Sequence, residues 1–203
     1  MRFGLNAFAA IALASVAALP PVAEAAQSDP AAARIEAFNR SLVEVMKQGP
    51  ALGAKGRIRR LEPVVQDTFD LPLMTRYSVG PSWATMSESD HQALIRAYTR
   101  LTVASYAHNF DRYDGERFDV NPTVQTRGPD KVVSSHLTPR SHAPIELIYR
   151  MRLDGGEWKV ADIYYGGISQ LTTRRSDFAA PLASGGARGL LAHLEAASDK
   201  LLQ

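Results

Sequence analysis

The chain has 203 residues, is 45% hydrophobic and 22% charged, contains no cysteine, and carries 23 basic against 21 acidic side chains. This composition is typical of a globular protein and excludes a disordered, collagen-like or disulfide-stabilised chain. The lack of cysteine also excludes thiolate zinc sites, iron–sulfur clusters and cysteine nucleophiles. The net charge of +2 is too small to indicate a nucleic-acid-binding protein.

The N-terminal residues have the three parts of a secretory signal peptide. Arg2 precedes an apolar stretch over residues 5–19, and a small-x-small cleavage pattern ends at Ala25. Because the apolar stretch is too short to span a bilayer, a cleaved signal is favoured over an anchor helix. We therefore predict that residues 1–25 are removed near Ala25, and that residues 26–203 form a single soluble periplasmic domain without a stable membrane anchor.

Helical periodicity follows the predicted cleavage site. A helix is expected to begin at Ser28 or Asp29, because either side chain can cap it and Pro30 is tolerated in its first turn. Residues 48–50, Gln-Gly-Pro, are expected to end this helix. A second helical pattern follows after a loop over residues 51–56.

Two further helices are predicted before the periodicity changes. Residues 70–72, Asp-Leu-Pro, interrupt the second helical pattern and open a short third helix, which Gly80 and Pro81 stop. Ser87, with Asp90 three residues later, resembles a capping box and begins the longest helical pattern.

From about Gly115 the periodicity is that of strands. Four strand-like segments are separated by turn signals, so that neighbouring strands are expected to be antiparallel. Two helical segments, starting near Ser176 and Gly186, close the chain. The order predicts an α+β fold in which a curved antiparallel sheet of about four strands packs against helices. The strand-like segments are 116–125, 131–137, 145–153 and 157–165.

Known catalytic motifs are missing from the sequence. It contains no HExxH, GxSxG, Walker or GxGxxG motif, so neither a metal nor a cofactor is predicted. His136 and Asp162 would form an acid–base set if they shared a cavity with a tyrosine. A histidine partly exposed on a sheet is the simpler interpretation of the same residue.

A basic cluster lies within the second helical pattern. Its members are Lys55, Arg57, Arg59 and Arg60. Such a cluster could meet anionic lipid or an acidic partner. A solvated helix end is the simpler explanation of the same residues.

Three stretches carry a combined pattern. RLEPVVQDTFDLPLMTRYSVGPSWATMSESD (Arg60–Asp90) has a Phe-Asp step and a Trp before a Ser-capped helix, and ELIYRMRLDGGEWKVADIYYGGISQL (Glu146–Leu171) contains WKVADI and GIS. RRSDFAAPLASGGARGLLAHL (Arg174–Leu194) adds a Phe and paired leucines. Their order and spacing, over residues 34–202, resemble the MlaC or toluene-tolerance family, the periplasmic lipid shuttles of the Mla pathway.

One branch of that family is similar in two further stretches. YAHNFDRYDGERF (Tyr106–Phe118) and GGISQLTTRRSDF (Gly166–Phe178) resemble the hopanoid-associated members called HpnM. Gln170 stands where the phospholipid shuttles usually have an apolar residue. The resemblance therefore leaves two cargoes open, a diacyl phospholipid or a pentacyclic hopanoid.

The resemblance implies a cone-shaped fold of the nuclear-transport-factor type, in which helices and a curved sheet enclose an apolar cavity. Lipid tails would lie inside, with the head group near the mouth. A protein of this kind is expected to be a monomer that exchanges cargo with an outer-membrane lipoprotein complex and an inner-membrane ABC transporter carrying an MCE-domain subunit. It would catalyse no reaction and need no cofactor.

Large apolar and aromatic side chains are the candidate lipid-binding residues under this interpretation. Periodicity alone does not distinguish residues around a ligand from a filled core. An enzyme built on the same scaffold, using His136 or Asp162, and a partner-binding module without lipid remain the alternatives. The candidates are Phe69, Met74, Tyr77, Trp83, Leu94, Tyr98, Leu101, Leu147, Tyr149, Val160 and Ile163.

Overall fold

A computed structural model describes residues 28–203 of the chain. The predicted signal peptide, residues 1–25, lies outside the described residues. The described part is an α+β structure, as the sequence predicts, with the helices α1 (Pro30–Thr68), α2 (Leu71–Val79), α3 (Glu88–Asn109) and α4 (Gln170–Leu201). The strands are β1 (Arg117–Val120), β2 (Gln125–Arg127), β3 (Asp130–Thr138), β4 (Ile145–Asp154), β5 (Glu157–Tyr165) and β6 (Ile168–Ser169).

The predicted helix starts are confirmed by their caps. The Asp29 carboxylate accepts a hydrogen bond from the Ala31 N–H at 2.9 Å, which starts α1. Asp70 caps α2 in the same way, and Gly80, with φ +70°, ends it before a 3-10 helix over Gly80–Thr85. Ser87 and Asp90 form the predicted capping box of α3. Local hydrogen bonding therefore determines where these helices begin.

The predicted break between the first two helical segments is confirmed, but it lies at Gly53, within the predicted loop over residues 51–56, rather than at residues 48–50. The helix continues through Pro50 and bends at Gly53, where φ is +60° and ψ is 177°. Gly49 serves a close contact instead, since a Cβ atom there would lie 1.8 Å from the Asp111 carbonyl oxygen. Arg57 bridges the bend, because its guanidinium donates to the carbonyls of Gly49 and Ala107.

The sheet has six strands rather than about four, in the order β1-β3-β4-β5-β6. All neighbours are antiparallel, and β2 pairs with β3 next to β1. The single strand predicted over 116–125 is divided, because Pro122 cannot donate to a strand ladder and the Asn121 side chain accepts from the Thr123 N–H. As a result, Gln125 pairs with Val132, two residues out of the β1 register.

The two helical segments predicted at the end of the chain are confirmed, and within α4 they meet at a kink at Gly186. α4 starts at Gln170, six residues before the predicted start, because the Ser169 hydroxyl accepts from the Thr172 N–H. The second predicted segment corresponds to a bend at Gly186, where φ is +56°. No helix among residues 28–203 combines the length and the apolar character that crossing a membrane requires.

The core lies between one face of the sheet and the helices. Phe38, Phe69 and Tyr106 form an aromatic cluster, with ring centroids 5.2 to 5.7 Å apart. The Asp70 N–H donates to the Val160 carbonyl at 3.0 Å, which ties the end of α1 to β5. Phe69 and Val160 form an isolated parallel bridge at this point.

Candidate functional site

A cavity of about 490 Å³ lies between the sheet and the helices α1 and α3. Its volume is within the range of small-molecule sites, about 300 to 1,000 Å³. Four other depressions of 470 to 520 Å³ all include charged side chains, whereas this one has none among its described lining residues. It is lined by Leu42, Ser105, Tyr106, Asn109, Phe110, Phe118, Leu137, Ile145, Leu147, Tyr149, Ile163, Tyr165 and Gln170.

The sheet side of the cavity follows from strand alternation. Leu147 on β4 pairs with Tyr165 on β5, and Tyr149 pairs with Ile163. Alternate residues of a strand share one face, so these four side chains form one surface, which we call the inner face. The intervening Ile148 points to the opposite, outer face. The period of two therefore gives the cavity a continuous apolar wall.

Aromatic rings close the cavity on the helix side. Tyr106 and Phe110 stand four residues apart at the end of α3, with ring centroids 5.8 Å apart and an interplanar angle of 17°. Phe110 in turn lies 6.1 Å from the ring of Phe118 on β1. Residues at this helical spacing lie on one side of a helix, which aims both α3 rings at the sheet.

Polar groups of the cavity are neutral. Burial raises the pKa of the Tyr106 and Tyr149 phenols above the ordinary value, so both hydroxyls stay protonated at neutral pH. Ser105 is satisfied inside α3, where its hydroxyl donates to the Leu101 carbonyl at 2.8 Å. Tyr165 is 50% exposed, and the neighbouring Gln170 side chain donates to the Ile168 carbonyl. The Tyr165 end is therefore the polar opening.

Three of the sequence-predicted site residues line this cavity: Leu147, Tyr149 and Ile163. Trp83 instead stacks on His91, with ring centroids 3.9 Å apart, and Tyr77 is 41% exposed and accepts a hydrogen bond from Arg152. The remaining six are buried in the core and do not line the cavity, namely Phe69, Met74, Leu94, Tyr98, Leu101 and Val160. Their lipid-binding role stays a prediction from the sequence.

Several lining residues were not among the predicted site residues. Tyr106 and Phe110 could have been predicted from the sequence, because two aromatic residues four apart on a helix lie on the same side of it. Ile145 and Tyr165 extend the alternation of β4 and β5 by one step beyond the predicted residues. Gln170 carries no apolar signal, and only its position after β6 brings it to the opening.

The candidate acid–base pair is not brought together. Asp162 is buried and holds the start of α4, because it accepts from the Ser169 hydroxyl at 2.7 Å and from the Leu171 N–H at 3.2 Å. His136 is exposed on β3, and neither residue lines the cavity. Their cross-strand partners are four residues apart on β4, which is about 13 Å.

Comparison with known proteins agrees with this fold. A solved structure of a phospholipid-binding protein from Ralstonia solanacearum, in complex with a phospholipid, superposes with a TM-score of 0.76. The two sequences are 20% identical, and the match covers 86% of this chain and all of the other. The family model described as MlaC protein matches residues 36–196, although neither comparison tests the similarity to the HpnM branch. The chain therefore belongs to the MlaC family.

Proposed function

We propose that the protein is a periplasmic lipid carrier that holds the apolar part of a membrane lipid in the cavity between α1, α3 and the inner face. The observation that carries the proposal is the cavity of about 490 Å³ without a charged lining residue among residues 28–203. Membership of the MlaC family supports it, as does the phospholipid bound by the Ralstonia protein. The carrier releases its lipid unchanged, so no catalytic group is required.

The energetics of lipid transfer explain why such a cavity is needed. Each CH₂ group moved into water costs about 0.8 kcal/mol, so a 16-carbon chain faces roughly 12 kcal/mol. A carrier that crosses an aqueous compartment has to keep most of that surface covered. The inner-face residues from Ile145 to Tyr149 extend over about 13 Å of β4, which covers a large part of such a chain.

The cargo is a phospholipid or a hopanoid. The Ralstonia protein supports the phospholipid. The similarity to the HpnM branch supports the hopanoid, because the two stretches that carry it contribute directly to the cavity. They supply the lining residues Tyr106, Asn109, Phe110, Phe118 and Gln170.

Delivery requires partners at both membranes. We propose an inner-membrane ABC transporter with an MCE-domain subunit and an outer-membrane lipoprotein complex, as the resemblance of the sequence implies. The predicted signal peptide supports a periplasmic location, and the chain is expected to act as a monomer.

Mass spectrometry of lipids extracted from the purified periplasmic protein tests the function. A stoichiometric phospholipid or hopanoid is expected, and its identity selects the cargo. Leu147→Asp places a charge on the cavity wall and should abolish the lipid load, whereas Ile148→Asp on the outer face should leave it unchanged. A folded Leu147→Asp variant that keeps its lipid would reject the assignment, and a chemically altered lipid would favour an enzyme instead.

A further inference from the structure

A second groove lies at the edge of the sheet, outside the lipid cavity. Within residues 28–203, β1 pairs only with β3, so that its other side is free. α1 runs beside this free side, and the groove between them has a volume of about 480 Å³. Its lining consists of Glu36, Asn39, Arg40, Val43, Glu44 and Lys47 from α1 and Phe118, Asp119 and Val120 from β1.

The backbone of β1 presents hydrogen-bonding groups to this groove. The Asn121 N–H donates to the carbonyl of Ser134, its opposite residue in the β1–β3 register, at 2.9 Å. In an antiparallel ladder, residues that exchange hydrogen bonds with the neighbouring strand alternate with residues that point away from it. Phe118 and Val120 therefore direct their N–H and C=O groups away from β3, towards the free edge.

Asn39 adds an unpaired carboxamide to the same groove. The residue is 4% exposed, and neither its Nδ2 nor its Oδ1 has a hydrogen-bond partner among the described residues. Buried polar side chains are nearly always paired, because an unpaired one loses its hydration without compensation. A carboxamide offers one acceptor and two donors, which match the N–H and C=O of a peptide group.

The groove has a small excess of negative charge, with Glu36, Glu44 and Asp119 against Arg40 and Lys47, which favours a basic ligand. Arg40 lies 3.9 Å from Glu36, and the Lys47 ammonium lies over the ring of Tyr113. Glu44 on α1 and Asp119 on β1 have no ion pair within residues 28–203. Two exposed carboxylates thus flank the groove from its two sides.

We propose that this groove binds an extended peptide segment of a protein partner, which adds as a strand to the free edge of β1. The segment pairs with the outward N–H and C=O groups of Phe118 and Val120, and one of its peptide groups pairs with the Asn39 carboxamide. A Lys or Arg of the segment lies between Glu44 and Asp119. Strand addition of this kind obtains its affinity from main-chain hydrogen bonds.

The inference goes beyond the lipid-carrier proposal and does not depend on it. The Phe118 ring contacts Phe110 in the lipid cavity, whereas the groups proposed to bind the peptide are main-chain atoms. A protein without lipid that binds the peptide would reject the carrier function alone. If the protein carries lipid but does not bind the peptide, only this inference is rejected.

Titration of an acetylated, amidated heptapeptide, Lys-Val-Thr-Val-Thr-Val-Lys, into the isotope-labelled full-length mature protein tests it. Binding should shift the amide resonances of Phe118 and Val120 and slow their hydrogen exchange. Val120→Pro removes one outward N–H and leaves the bonds to β3 intact, since proline is tolerated on edge strands. It should weaken binding at least tenfold relative to Val120→Ala, which keeps the N–H.

Asn39→Leu provides an independent second variant. It should weaken peptide binding about tenfold and raise the melting temperature of the free protein, because it replaces an unpaired buried amide with an apolar group of similar size. A lower melting temperature would instead assign Asn39 to the core. Equal binding by Val120→Pro and Val120→Ala, or no shift at Phe118 and Val120, would overturn the proposal. So would self-association through β1, which sedimentation would detect.

Discussion

The guanidinium group of Arg175 covers Gly80 so closely that a Cβ atom on Gly80 would lie 2.5 Å from Nη2 and 2.8 Å from Nε. Gly80 ends α2 with φ +70° and ψ −141°, a combination that is essentially restricted to glycine. The start of α4, which carries Arg175, is thereby seated on the turn that follows α2.

Gly80→Ala should lower the free energy of unfolding by about 1 to 3 kcal/mol from backbone strain, while the clash with the exposed Arg175 side chain adds little because its guanidinium can move away. Urea denaturation measures the loss. Arg175→Ala in the same background should recover only the clash, so a double-mutant cycle separates the two contributions. Full recovery would show that the backbone of Gly80 is not strained.

Filling the cavity should displace lipid without unfolding the protein. Ile163→Trp adds apolar volume to a wall that faces open space, so the extracted lipid load should fall while the melting temperature stays close to that of the wild type. Val160, three residues before Ile163 on β5, is fully buried, and Val160→Trp should destabilise the fold by about 1 to 3 kcal/mol through overpacking. If Ile163→Trp unfolded the protein and Val160→Trp did not, the open space would adjoin Val160 and not Ile163.

Asp29 should make folding sensitive to acid. Burial raises the pKa of this carboxyl, but hydrogen bonds from Lys131 and from the Ala31 N–H outweigh it, so that the folded pKa lies below 3.8. A depressed carboxyl pKa stabilises the fold above the unfolded pKa, and this contribution is lost as the pH falls through the folded value. Stability curves of wild type and Asp29→Asn should therefore differ most above about pH 4 and converge at lower pH. A constant difference down to pH 2 would contradict this.

The basic cluster of α1 should divide into one structural and several dispensable residues. Arg57 is half-buried and donates at 2.7 Å to the Ala107 carbonyl, so Arg57→Ala should lower stability by about 1.5 to 3 kcal/mol. Arg59 is exposed, and Arg59→Ala should stay within about 0.5 kcal/mol of the wild type. Thermal unfolding of the pair checks this, and equal effects would refute the structural role of Arg57.

Local signals in the sequence predict most element boundaries of this fold. The caps at Asp29, Asp70 and Ser87 act within three residues of themselves, so their effect can be read without tertiary information. Gly49 misled the prediction because its small size serves a contact with Asp111, more than sixty residues away. Strand register also depends on non-local structure. The pairing of Gln125 with Val132 on β3 can be assigned only once the turn at Pro122 is known.

The sequence predicts which face of the strands lines the cavity, but not where along the strands the cavity ends. Alternation along β4 and β5 assigns Leu147, Tyr149 and Ile163 to one face, and the structure places them on the cavity wall. Val160 lies three residues from Ile163, and a β-bulge opposite Arg150 and Met151 shifts the register between them. Val160 is buried and pairs with Phe69 at the end of α1. Neither the bulge nor the bridge between Phe69 and Val160 is encoded in the hydrophobic periodicity, because both depend on which segments lie next to each other in the fold.

The uncharged lining of the lipid cavity has a consequence for transfer kinetics. The described lining contains no Asp, Glu, Lys, Arg or His, so binding of a lipid tail in the cavity involves no ion pair that dissolved salt could screen. Encounter with a charged membrane complex, in contrast, is governed by long-range fields that ionic strength weakens. In such a carrier, the salt dependence of the transfer rate measures the electrostatic contribution to association with the proposed partners. The residence time of the lipid depends on the cavity and should not change with salt.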